Sequence, residues 1–122
     1  MSEQPRILSV GQCHMDGPRI RRHLESTFEA TVDSAESASE ASDEMAARDY
    51  DLVLVNRILD ATGEQGQDVV RDAVGRGVPV MLVSNFEDAQ KKAVDAGAKP
   101  GFGKAALGDD AADQAIRDAL AT

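Results

Sequence analysis

The chain has 122 residues, a formal net charge of −9 at pH 7 and an isoelectric point near 4.5. A surface this acidic repels a phosphate backbone, and three Phe, one Tyr and no Trp provide few rings for base stacking, so nucleic-acid binding is disfavoured. The single cysteine excludes an internal disulfide, and no apolar run approaches the roughly 18 residues of a membrane span. The N-terminus has no hydrophobic leader, and we therefore expect a cytoplasmic protein without a membrane partner.

The first half of the chain predicts two strands and two helices in alternation. Residues 6–10 form an apolar run after a proline, which is typical of a strand start. Pro18 suits the first turn of helix one. Residues 29–33 alternate small apolar with polar side chains and predict a weak edge strand. A Ser-x-x-Glu sequence beginning at Ser37 has the spacing of a capping box and starts helix two.

The second half continues the alternation. Residues 52–55 are an unbroken run of Leu and Val, as expected of a strand buried on both faces. The remaining predicted elements are helix three from Val69 to Gly75, strand four at 78–84, helix four at 87–96, a weak strand five at 100–104 and helix five, capped by Asp109. Five strands alternating with five helices predict an α/β fold, a doubly wound parallel sheet, formed by residues 1–122 as a single domain.

Residues at the carboxyl ends of the predicted strands carry a family resemblance. Gly11 and Gln12 follow strand one, Asn56 follows strand three, Ser84 ends strand four, and Lys104 comes six residues after an Ala-Gly-Ala sequence. In order and spacing these positions resemble the receiver (CheY-like) domain of bacterial two-component response regulators. The resemblance covers nearly all of the chain. It implies a five-stranded flavodoxin-like (βα)5 sheet with strand order 2-1-3-4-5.

The same resemblance assigns a role to each position. It places the metal-binding acidic pair at Gly11 and Gln12, the phosphoacceptor at Asn56, the Ser or Thr of the receiver switch at Ser84 and the family's lysine at Lys104. No acid stands at the first three of these positions, and an amide cannot form an acyl phosphate. The chain therefore resembles a degenerate receiver, or pseudo-receiver, and we expect no metal, no cofactor and no enzymatic activity.

The residues that replace the acids predict a fixed site. We expect Asn56, Ser84 and Lys104 to hydrogen-bond to one another and so to hold one conformer without phosphate. Receivers usually carry an aromatic residue three positions before the lysine, but this position is Gly101 here. The ordinary coupling of the Ser or Thr to an aromatic ring therefore has no ring to act on.

Two other interpretations use loop residues. Asp16 and Asp60 flank the same predicted pocket, and a displaced Mg²⁺ site there would allow an ordinary phosphorelay receiver that is phosphorylated at a displaced acid. His14 and Gly17 have the His-x-x-Gly spacing of cobalamin-binding modules, which predicts a small-ligand module instead. Gln12 stands where those modules carry Asp, and their later Gly-Gly is missing.

The pseudo-receiver interpretation implies function through protein–protein interaction. The expected partner is another signalling protein, a kinase or an output protein in a two-component-type pathway. Receivers commonly use the face of helix four, strand five and helix five for such contacts and for homodimers. The charged residues predicted on that face are of both signs, which suits a self-complementary dimer, namely Lys91, Lys92, Lys99, Asp109, Asp110 and Asp113.

Overall fold

A computed structural model describes residues 4–121 and shows strands and helices in strict alternation. The strands are β1 (Arg6–Val10), β2 (Thr31–Ala35), β3 (Leu52–Asn56), β4 (Val80–Val83) and β5 (Lys99–Phe102). The helices are α1 (Asp16–Phe28), α2 (Ala38–Ala47), α3 (Gly66–Gly75), α4 (Glu87–Asp95) and α5 (Asp110–Leu120), with a 3₁₀ turn at Lys104–Ala106. No helix in this described part of the chain is long and apolar enough to cross a membrane.

The five strands form one parallel sheet in the order β2-β1-β3-β4-β5. This order confirms the predicted doubly wound flavodoxin-like fold. Because all strands run in the same direction, their carboxyl ends meet at one edge of the sheet. The site residues that follow β1, β3, β4 and β5 are therefore brought to a common edge.

Two apolar layers hold the helices on the sheet. Val53 and Val55 of β3 face α2, α3 and α4, whereas Leu52 and Leu54 face α1 and α5. All four side chains are fully buried, as the unbroken apolar run predicts. Each such burial stabilises the fold by roughly 1.5–3 kcal/mol, so β3 anchors both layers at once.

Several element boundaries differ from the sequence-based expectations, and one predicted cap lacks its hydrogen bond. The second strand begins two residues later than predicted, because α1 continues to Phe28 and Glu29 then adopts the left-handed conformation (φ 54°) that ends the helix. β5 ends at Phe102, so Lys104 lies in the turn after the strand. Asp109 is the N-cap residue of α5, but its exposed side chain makes no capping hydrogen bond.

Candidate functional site

A pocket of about 300 Å³ lies at the carboxyl edge of the sheet. It brings together three of the predicted residues, Asn56, Ser84 and Lys104, although these come from three separate parts of the chain. Arg57 and Phe86 also line the pocket, and the Arg57 guanidinium lies 4.6 Å from the centre of the Phe86 ring. The lining contains two cationic side chains and no carboxylate.

Asn56 ends β3 and is held by the backbone on both sides. Its Nδ2 donates one hydrogen bond to the carbonyl oxygen of Gly11 at 3.0 Å and another to that of Ile58 at 2.8 Å. Both acceptors are carbonyl oxygens, so only the NH₂ group of the amide can face them. A carboxylate at this position would place an oxygen against two other oxygens. The local backbone therefore suits an amide and disfavours an aspartate.

Gly11 stands where the resemblance places one acid of the metal-binding pair, and there is no room for a side chain at this position. It has a φ of +72°, and a Cβ added there would lie 2.5 Å from Cγ of Leu59 and 2.9 Å from its Cα. Leu59 is fully buried, and the loop that carries it is tied down by a bond from the Asp60 amide to the Gly11 carbonyl at 3.0 Å. A leucine thus occupies the space into which an acidic side chain would extend.

Gln12, at the second position of that pair, belongs to a different cavity. Its Nε2 is 3.4 Å from the carbonyl oxygen of Val10, and it lines a larger cavity beside α1. It is not among the residues that line the Asn56 pocket. The two positions assigned to the acidic pair therefore do not face one shared metal site.

Lys104 is paired with Asp16. Its Nζ lies 3.0 Å from Oδ2 of Asp16, and the thiol of Cys13 donates to the same oxygen at 3.2 Å. The hydrogen bond from Lys104, followed by that from Cys13, lowers the pKa of the Asp16 carboxyl below its usual value. A cation bound at Asp16 would have to displace the lysine.

The other loop candidates are dispersed. Asp60 and His14 are both exposed. Within residues 4–121 no group of three or more His, Cys, Asp or Glu side chains is arranged to hold a metal ion. The displaced metal site would therefore have to form from a single paired carboxylate and a solvent-exposed one.

The predicted hydrogen-bond network among Asn56, Ser84 and Lys104 is wrong. Ser84 is buried, and its Oγ accepts from the backbone N–H of Phe86 at 3.1 Å. Asn56 binds backbone carbonyls and Lys104 binds a carboxylate, as described above. The three side chains share a pocket, but each bonds to a different partner: Ser84 to the following loop, Asn56 to the Gly11 and Ile58 carbonyls, and Lys104 to Asp16.

Gln90 of α4 was not singled out by the sequence, yet it joins two strands. Its Nε2 donates to the carbonyls of Leu82 at 2.8 Å and Ser84 at 3.0 Å, and its Oε1 accepts from the N–H of Gly101 at 3.2 Å. A Cβ on Gly101 would lie 2.0 Å from the Leu82 carbonyl oxygen. The position where receivers carry an aromatic residue is thus closed by backbone and by the glutamine amide.

One charged residue, Asp113, does not lie on the contact face where it was predicted. Asp113 of α5 lies 2.7 Å from Nε2 of His23, and both side chains are largely buried between α5 and α1. Asp113 therefore points away from the face built by α4, β5 and α5. On α4, Lys91 is paired with Asp95 at 3.1 Å, and both side chains are exposed.

Comparisons with known proteins identify the fold. No protein-family profile matches the chain. A search of curated proteins likewise finds no match. Solved structures do match, at sequence identities below 25%, and these matches show the fold alone.

Three of these structures illustrate the similarity. A two-component response regulator from Clostridium difficile is 17% identical, with a TM-score of 0.80, and 97% of each chain is covered. The signal receiver domain of a DNA-binding response regulator from Colwellia psychrerythraea is 19% identical, with a TM-score of 0.78 over 98% of this chain and 100% of that one. A response regulator from Burkholderia pseudomallei with a phosphorylated aspartic acid, calcium ion and citrate is 18% identical, with a TM-score of 0.72 over 98% and 75%. The chain has the fold of a response-regulator receiver domain.

Proposed function

We propose that this protein is a pseudo-receiver, a signalling protein of the two-component type that works by binding another protein and is not phosphorylated. The observation that carries the proposal is the bonding of Asn56, whose two amide hydrogens are both taken by backbone carbonyl oxygens. The surroundings of this side chain thus favour an amide over a carboxylate. We therefore interpret Asn56 as a functional part of the site and not as a remnant of a lost aspartate.

Phosphoryl transfer in a receiver requires a carboxylate nucleophile and a divalent cation that neutralises the developing charge. Asn56 supplies no carboxylate. Leu59 fills the space beside Gly11, and the lining of the Asn56 pocket has no acidic side chain with which to bind a hard cation. Three separate features thus oppose the same chemistry, and the protein needs neither metal nor cofactor and is not an enzyme.

A fixed conformer at the β4–β5 edge supports signalling without phosphate. In receivers this edge rearranges when the Ser or Thr and the aromatic residue move together. Here Gln90 bonds to β4 and β5 at once, and Gly101 has no side chain to move. The face of α4, β5 and α5 therefore has a single conformation available for binding a partner.

That face is the proposed contact surface for a kinase, an output protein or a second copy of the chain. Val94 of α4 is 42% exposed, and Pro100 of β5 borders a shallow depression on each side. The depression toward α5 is lined by Ala111 and Ala115 and is mainly apolar. Exposed apolar side chains rimmed by Lys and Asp are typical of protein-binding surfaces.

One observation favours a second candidate, a phosphorelay receiver that uses Asp16. The Asp16 carboxyl is ionised at neutral pH, as an ordinary aspartate is, and its Oδ2 lies 3.0 Å from Nζ of Lys104. An ionised carboxylate next to a lysine has the charge state required of a phosphoacceptor. Phosphorylation would break the ion pair with Lys104.

Incubation with acetyl phosphate and Mg²⁺, followed by intact mass measurement, separates the two functions. The pseudo-receiver gains no phosphoryl group, while an active response-regulator receiver treated in parallel does. A gain that disappears in Asp16→Asn but persists in Asp60→Asn would establish the second candidate and overturn the first.

A further inference from the structure

The Asn56 pocket contains a cation that has no acidic partner. The Arg57 guanidinium makes no hydrogen bond or ion pair within residues 4–121, and it lies over the Phe86 ring, 4.6 Å from the ring centre. The other cation of the lining, Lys104, is already paired with Asp16 at 3.0 Å. Because no carboxylate lines the pocket, it presents one uncompensated positive charge.

Phe86 holds that cation in place. The backbone of Phe86 is fixed on both sides, because its N–H donates to Ser84 Oγ at 3.1 Å and its carbonyl oxygen accepts from the N–H of Gln90 at 3.1 Å. Its ring is nevertheless 60% exposed. A guanidinium stacked on an aromatic face is pre-oriented and keeps its N–H groups free for an oxyanion. The exposed ring beside it offers apolar contact area, so the two side chains together suit a group with an anionic and an apolar part.

Asn56 contributes a hydrogen-bond acceptor to the same pocket. Its Nδ2 is bonded to two backbone carbonyls, whereas its Oδ1 has no partner within residues 4–121. This oxygen is not among the buried unpaired atoms of that part of the chain, so it is accessible from outside. An amide oxygen can only accept, and its complement is an N–H or O–H group. A carboxylate ion alone has no such donor, but a peptide backbone supplies one at nearly every residue.

We propose that this pocket binds an acidic segment of the partner protein, with one Asp or Glu side chain of the partner against Arg57. The carboxylate accepts two parallel hydrogen bonds from the guanidinium, and a backbone N–H of the same segment donates to Asn56 Oδ1. A single carboxylate matches the one uncompensated charge of the pocket, whereas a doubly charged phosphate exceeds it. The net charge of −9 repels such a segment from most of the remaining surface, which favours this site.

This inference rests on the proposed function, because it requires a partner protein and a pocket that is free of phosphate. It adds a second contact region to the face of α4, β5 and α5. The two contacts lie on different parts of the molecule, since none of the residues around Val94 and Pro100 lines the Asn56 pocket.

The direct test is a ¹H–¹⁵N NMR titration of the full chain at low ionic strength with the capped peptide acetyl-Leu-Glu-Leu-amide. The matched peptide with Gln in place of Glu, acetate and inorganic phosphate are titrated separately. We expect saturable shifts with the Glu peptide, centred on the amides of Asn56, Arg57 and Phe86, and binding at least about tenfold weaker with the Gln peptide. Absence of saturation with the Glu peptide, equal binding of the Gln peptide, or tighter binding of acetate or phosphate would overturn the proposal.

Two variants and a matched control locate the site. Arg57→Gln removes the unpaired charge and is expected to weaken binding of the Glu peptide by about tenfold. Arg57→Lys keeps the charge but loses the fork of N–H donors, and it should recover only part of the affinity. Arg22→Gln is the control, because Arg22 is exposed on α1 and does not line the pocket. Full affinity in Arg57→Gln, or an equal loss in Arg22→Gln, would refute the assignment.

The titrations contain neither a phosphodonor nor Mg²⁺, so their result is separate from the phosphorylation test. Peptide binding together with a gain of a phosphoryl group from acetyl phosphate would overturn the proposed function but support the peptide site. Absence of peptide binding without any gain in mass would overturn the peptide site alone.

Discussion

At Asn56 a carboxylate would turn two hydrogen bonds into two repulsions. The substitution Asn56→Asp is expected to lower the free energy of unfolding by about 1–3 kcal/mol at neutral pH, because the partly buried side chain loses both of its hydrogen bonds. Two carbonyl oxygens disfavour the charged form and raise the pKa of the new carboxyl, so the loss should shrink as the pH falls through that raised pKa and be smallest below about pH 4, where the carboxyl is protonated in both the folded and the unfolded chain. Urea unfolding at neutral and acidic pH measures both effects.

Asn85→Asp is the matched control for that prediction. Asn85 lines the same pocket, but it is exposed. We expect little change in stability at either pH. An Asn56→Asp protein as stable as the parent at neutral pH would show that the amide is not required by its surroundings, and the central argument for a pseudo-receiver would fail.

Gly11 provides a second test at the level of a single residue. Gly11→Ala places a methyl group against Leu59, and overpacking of this kind costs about 1–3 kcal/mol in addition to the strain of a positive φ. Gly63→Ala isolates the strain, since Gly63 has a similar φ of +75° and no atom within 4 Å of an added Cβ. The difference in thermal or urea stability between the two variants measures the contact with Leu59. Equal losses in both would show that Leu59 yields and that the acidic position is open.

The ion pair of Asp16 and Lys104 predicts a dependence on pH. The pKa of Asp16 is lower in the folded protein than its ordinary value of 3.8, so the stabilisation is complete above that value and is lost as the pH falls through and below it. Asp16→Asn should therefore be less stable than the parent at neutral pH, by less than about 1 kcal/mol because the pair is partly exposed, and the two should converge in acid. Asp60→Asn, at an exposed site, should match the parent throughout. A deficit of Asp16→Asn that persists in acid would contradict this origin.

At the level of the elements, α4 depends on Gln90. Only Ala93 of this helix is fully buried, so the three hydrogen bonds of Gln90, to Leu82 of β4, to Ser84 just after β4 and to Gly101 of β5, supply much of its attachment. Gln90→Ala is expected to cost about 1–3 kcal/mol and to speed hydrogen exchange at Gly101 and along α4. Lys91→Ala, one position along the same helix and exposed, should change neither. Exchange at Gly101 that is unchanged in Gln90→Ala would show that the amide bridge does not hold the two strands together.

The elements also show how far the sequence predicts this structure. β3 was predicted correctly because four consecutive Leu and Val residues have no other stable position than between two apolar layers. β2 was misplaced by two residues because its side chains alternate weakly and its start depends on where α1 ends. Gln90 and Leu59 were missed for a different reason. A glutamine in a short polar helix looks solvated and a leucine in a loop looks incidental, and only the folded backbone shows what each contacts.

Across the whole molecule, charge and fold act on association in opposite ways. A net charge of −9 separates two copies at low ionic strength, whereas the apolar side chains around Val94 and Pro100 favour contact. Salt screens the repulsion over about 10 Å at 0.1 M and leaves apolar burial intact. Self-association through the face of α4, β5 and α5 should therefore strengthen as salt is added.

Substitution of Val94 tests whether this face joins two copies. In sedimentation equilibrium over a range of protein concentrations and salt, the parent chain is expected to form a dimer that Val94→Asp weakens by at least about tenfold, since the charge would be buried at the contact. Met15→Asp is the matched control. Met15 lies just before α1 and is 80% exposed, so this substitution adds the same charge away from the face of α4, β5 and α5. A dimer lost in Met15→Asp but kept in Val94→Asp would move the interface to the Met15 side of the molecule. A parent chain that stays monomeric at every salt concentration would contradict self-association through this face. The exposed apolar side chains would then be a contact surface for a different protein.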